Sequence, residues 1–135
     1  MNWSPANLYA LADKLCVNEL MDVVLDTIRK HGRETNGIPV LETVREGYEL
    51  TPPGSTYRKY LAYCCATYIL GKAWVSVDAS DISVLMVDLP DLNLDVVRIL
   101  QATEGNFQEP NELPNCKFHT HEKGVPCPWK TADSE

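Results

Sequence analysis

Between Thr56 and about Trp74 the chain is apolar on nearly every side a helix could present. Tyr57, Tyr60, Leu61, Cys64, Tyr68 and Ile69 form the main stripe, and beyond the first turn the other faces are also mostly apolar. Ser55 supplies a hydroxyl cap at its start. Upstream, Thr51-Pro52-Pro53-Gly54 must break any preceding helix, because two prolines remove donors and fix the backbone. A helix that is hydrophobic all round belongs at the centre of its fold. The stretch from Tyr60 to Val77 approaches the length of a membrane span, but Lys72 and its small and polar groups favour a buried bundle helix. This segment is expected to be the spine of an all-α bundle of five to six helices.

The remaining helices read from caps and periodicity. Ser4-Pro5 opens the first, with Leu8, Leu11, Ala12 and Leu15 at helical spacing. A second is expected over about Asn18 to His31, burying Leu20, Met21, Val24, Leu25 and Ile28 while Glu19, Asp22, Asp26, Arg29 and Lys30 face away. Arg29, Lys30 and His31 suit a last turn, where cations favour the helix dipole, and Gly32 is placed to end it. Val40 to Leu50 is a third, with Leu41, Val44 and Tyr48 on one side. Asp78 to Asp81 can cap a short helix ending before Pro90, and Asn93 a last one to about Thr103, with Leu94, Val97, Ile99 and Leu100 apolar. The bundle is expected over residues 1–105, and residues 106–135 form an irregular tail packed on it.

Charge narrows the function. The 135 residues hold 12 Lys and Arg against 19 Asp and Glu, a net charge of −7. Nucleic acid and anionic membrane surfaces both require a positive field, so neither is an expected partner. From Asp78 to Glu112 eight acids stand against one base, Arg98, which reads as a solvated face or an acidic docking surface. Five cysteines, two of them adjacent, and no secretory signal at the start indicate an intracellular protein of the cytoplasm or nucleus. A secreted, disulfide-bonded protein is the less favoured alternative.

The tail carries the chemistry. Cys116, His119, His121 and Cys127 read C-x2-H-x-H-x5-C. Two thiolates and two imidazoles satisfy tetrahedral zinc, and filling all four positions with protein groups makes the site structural. His119 and His121 are two apart, so an extended backbone puts both rings on one face. A Cys116–Cys127 disulfide and an unligated tail remain open alternatives. Phe118 and Trp129 are expected to pack this knuckle against the bundle. His119 to Gly124 is similar to the linker of tandem DNA-binding zinc fingers, but the paired cysteines such a finger needs upstream are missing. Cys64 and Cys65, about 100° apart on a helix, are read as small buried hydrophobes. No phosphate loop, nucleophile elbow or catalytic carboxylate pair stands out.

Three stretches resemble one family. Leu8-Tyr9-Ala10-Leu11-Ala12-Asp13-Lys14-Leu15 followed by Val17-Asn18-Glu19-Leu20 resembles the last helical hairpin of a BTB/POZ domain. Gly54 to Leu61 resembles the helix after the BTB core in fungal BTB-domain proteins, which often finish with a Cys/His segment like Cys116 to His121 with Pro126-Cys127-Pro128. A complete BTB domain places strands and helices before this hairpin. The resemblance therefore implies the C-terminal part of such a protein, as a fragment, truncated product or recruited remnant, without the family's usual homodimer interface.

The expected function is a non-catalytic protein–protein interaction or scaffolding module stapled by structural zinc. The competing class is a small metal-dependent enzyme that uses three of the four ligands, an open zinc position and Glu122 as general base.

Overall fold

The computed structural model describes residues 4–103 and 106–120. It is all-α. Helices α1 (Pro5–Lys14), α2 (Asn18–Thr35), α3 (Leu41–Leu50), α4 (Thr56–Ile69), α5 (Ala79–Asp88) and α6 (Pro90–Thr103) are followed by two 3-10 turns, Pro110–Glu112 and Asn115–Phe118. No strand occurs among the described residues.

Helix α4 is the spine. Every residue from Tyr60 to Tyr68 is buried, and α3, α5, α6 and both 3-10 turns pack against it. Ser55 caps it by accepting the Arg58 amide. Its end lies earlier than the apolar run suggested. Gly71 adopts φ +68°, and the amides of Gly71 and Lys72 close back on the carbonyls of Tyr68 and Thr67, the reversal that stops a helix and that glycine adopts without strain. Trp74 therefore leaves the helix altogether.

The α1–α2 hairpin forms as expected, but α1 buries a different stripe. Ala6, Tyr9 and Ala12 face the core, whereas Leu11 and Leu15 are exposed. The reason is Tyr9. Its ring meets Tyr57 edge to face at 5.2 Å and its hydroxyl pairs with Thr56 Oγ1 at 2.7 Å, which fixes the helix rotation. Helix α2 runs a turn past Gly32 and ends at Asn36 in the left-handed region. In α6 the buried positions are Leu92 and Val96, and Leu94 and Val97 point outward. The helix starts at Pro90 rather than at an Asn93 cap, since a first-turn proline gives up a donor that has no partner there anyway.

Three of the eight acids also join helices to one another. Asp88 pairs with Arg45 at 3.0 Å, Asp91 with Arg58 at 3.2 Å, and Asp95 accepts the Tyr48 hydroxyl at 2.6 Å. These contacts tie α5 and α6 to α3 and α4, while Asp81, Asp88, Asp91 and Glu112 are exposed, as a solvated face requires.

Candidate functional site

Residues 106–120 form a strap across α2 and α4, and what holds it is polar. On α2, Asp22, Asp26, Arg29 and Arg33 stand at i, i+4, i+7 and i+11, so they share one face beside the apolar stripe. Asp22 and Arg29 are fully buried, contrary to the expectation that this face meets solvent. The strap covers them.

Arg29 Nε donates to the Pro110 carbonyl at 3.0 Å, and Nη2 donates to the Leu113 carbonyl. Its guanidinium also lies 4.9 Å from the centre of the Phe118 ring. Arg33 donates to the Asn111 carbonyl at 3.1 Å. Asn111 is itself buried: its Oδ1 accepts the Tyr60 hydroxyl at 2.9 Å and its Nδ2 donates to the Gly37 carbonyl at 2.9 Å. Each buried polar atom named here has a partner, as burial away from water requires. Phe118 completes the seal, edge to face with Tyr60 at 5.5 Å and Tyr63 at 5.7 Å. That is the packing role read for it from the sequence.

The ligand quartet divides. Cys116 is half-buried in the second 3-10 turn, and the His119 amide donates to its carbonyl at 3.3 Å, so the Cys-x2-His turn brings these two residues together. His119 is buried, with Nε2 at 2.9 Å from both oxygens of Asp26. Thr120 follows, its amide 2.8 Å and its hydroxyl 3.2 Å from the Asp22 carboxylate. His121, Glu122, Cys127 and Trp129 lie outside the described residues. Among the described residues no group of three or more His, Cys, Asp or Glu side chains is placed to hold a metal ion.

The other thiols are packing. Cys64 and Cys65 are buried in α4, and burial pushes both thiols up, Cys65 to about 11 and Cys64 further. Little thiolate exists at neutral pH under those conditions. Cys16 is exposed at φ +58°, where it serves as the left-handed residue that closes α1.

A second feature was not legible as a site. Trp74 is 78% exposed, Val75 70% and Val40 60%. They border a groove of about 150 Å³ whose wall includes Ile38, Tyr68 and Val77 and whose rim includes Glu109 from the strap. The Tyr68 hydroxyl donates to the Pro39 carbonyl at 3.1 Å, which holds the α2–α3 connection over this groove.

No family model, curated protein or solved structure significantly matches the chain. Among the described residues no helix is long and apolar enough to cross a membrane.

Proposed function

We propose that this chain is a non-catalytic protein-interaction module that docks a partner through the Trp74 groove. The carrying observation is Trp74 itself, a large aromatic side chain held in solvent beside an apolar groove. Isolated exposed aliphatics are ordinary, but tryptophan flanked by exposed valines matches the anchors that dominate protein interfaces. A partner would seat apolar side chains against Trp74, Val75 and Val40, and the net charge of −7 would disfavour acidic partners. Kinship with BTB/POZ proteins is part of this reading, supported by the α1–α2 hairpin at the residues that resemble the last BTB hairpin.

A structural zinc on Cys116, His119, His121 and Cys127 belongs to the same proposal. Two observations support it. Cys116 and His119 share one turn, and a carboxylate on the far ring nitrogen is the usual companion of a metal-bound imidazole. With Nε2 at Asp26, ligation by His119 would go through Nδ1. Zinc held there would staple the strap's end and leave no open position for water.

Affinity capture with the intact chain, compared with Trp74→Ala, tests the docking reading. A polypeptide retained by the parent chain and lost with the variant, at an unchanged melting temperature, supports it. Identical capture by both overturns it.

A further inference from the structure

A second apolar cavity of the bundle shares Gly37 and Ile38 with the Trp74 groove and is otherwise lined by different residues. It measures about 280 Å³ and opens between α2, the α2–α3 connection and α4. Tyr57 and Tyr60, both fully buried, form its floor. Ile28, Ile38 and Pro39 line its sides, and His31 stands at the rim. An enclosed apolar void of about 150 Å³ already accommodates benzene, so this volume suits a substituted single ring.

The two tyrosines differ in one respect. Tyr60 gives its hydroxyl to Asn111, whereas the Tyr57 hydroxyl makes no hydrogen bond among the described residues although the residue is 1% exposed. The Tyr57 ring edge packs where Gly47 leaves room, with its Cε1 only 3.0 Å from where a Cβ at position 47 would stand. Tyr9 packs against the same ring in a T-shaped pair. A buried hydroxyl left without a partner is destabilising, and native proteins rarely retain one unless water or a ligand answers it.

We propose that this cavity is a binding site for a small neutral ring compound carrying one hydrogen-bond acceptor, with the Tyr57 hydroxyl as the donor that selects it. Burial, and after it the charge of Glu46, pushes the Tyr57 phenol well above its ordinary value, so the group is a donor at any physiological pH. The same carboxylate disfavours anions. Cations are disfavoured too, because Glu46 is exposed and the apolar walls would strip a cation of its water without a buried countercharge.

The test is an amide-resolved NMR titration of the whole chain with two probes, acetophenone and ethylbenzene, which differ in the carbonyl acceptor. Acetophenone is expected to give saturable shifts at Ile28, Ile38 and Tyr60 and to bind about tenfold more tightly than ethylbenzene, a net hydrogen bond's worth. Tyr57→Phe breaks no hydrogen bond among the described residues and so should fold normally; in it the two probes should bind alike. Thr43→Phe, which fills the cavity from α3, should abolish binding of both. Absence of saturable shifts, as when the hydroxyl is satisfied by water alone, overturns the proposal. So does a preference for acetophenone that survives Tyr57→Phe.

Discussion

The fully buried guanidinium of Arg29 donates to the main-chain carbonyl of Pro110, a residue 81 positions further along the chain. A charge is tolerated there because its donors meet fixed carbonyls and its face meets Phe118. This contact makes residues 106–120 part of the fold's core rather than an appended tail.

Replacing Arg29 tests that. Arg29→Met leaves the buried Pro110 carbonyl and the half-buried Leu113 carbonyl without their donor, at about 1–3 kcal/mol for each lost partner. Unfolding in urea should show a loss of about 3 kcal/mol. Arg29→Lys should recover only part, because an ammonium cannot reproduce the fork. Lys30→Met, one position on and exposed, should stay within about 0.5 kcal/mol of the parent chain. Equal stability for Arg29→Met would contradict the account.

Gly32 and Gly37 form an internal control. A Cβ at Gly32 would stand 2.3 Å from Asn111 Nδ2 and 2.7 Å from the Gly37 carbonyl oxygen. Helix propensity alone favours alanine by about 1 kcal/mol. Gly32→Ala should nevertheless destabilise, by about 2 kcal/mol, because the added methyl displaces the buried asparagine. At Gly37 the nearest atom would be Thr35 Oγ1 at 3.4 Å, an ordinary contact, so Gly37→Ala should be near neutral in the same thermal melt.

Alkali should weaken the fold. Burial pushes the phenols of Tyr48, Tyr57 and Tyr60 and the thiols of Cys64 and Cys65 upward, Cys65 from 9.0 to about 11. The native state therefore holds these protons when the unfolded chain has released them. The stability they contribute is full below the unfolded values and is lost as pH rises through the folded ones. Urea midpoints should be flat from pH 7 to 8.5 and fall steeply above about pH 9. A midpoint unchanged at pH 10.5 would refute the assignment. In the same samples, a thiol reagent at pH 8 should modify exposed Cys16 at once and Cys64 and Cys65 only on unfolding.

The zinc proposal has its own readout. Native mass spectrometry of the reduced chain should find one zinc, and a strong chelator should remove it together with several degrees of melting temperature. Cys116→Ser and His119→Ala should each lose the metal. A metal-free chain whose melt ignores the chelator would reduce Cys116 and His119 to strap residues.

The bundle was legible because its strongest signals are local. An all-round apolar helix after Pro52-Pro53 can only be central, and Ser4, Ser55 and Asp78 cap where their hydroxyl or carboxylate predicts. The strap's hold was not legible. Asp22, Asp26, Arg29 and Arg33 carry a helical period as clear as the apolar one, but charged residues default to solvent, and their partners lie 78 to 98 residues away in a segment with no period. His119 stands out by residue type, whereas the carboxylate of Asp26 beside it belongs to α2 and carries no such mark in the sequence. Trp74 was hidden inside an apolar run because one glycine, Gly71, decides where α4 stops.

The central claim is docking at the Trp74 groove, and the most direct measurement is site-specific photocrosslinking in cells. A photoreactive residue replaces Trp74 in one chain and exposed Glu34, on the polar end of α2, in another. The account expects one or a few discrete protein adducts from position 74 and none of them from position 34. No adducts at 74, or the same adducts at both positions, would contradict it.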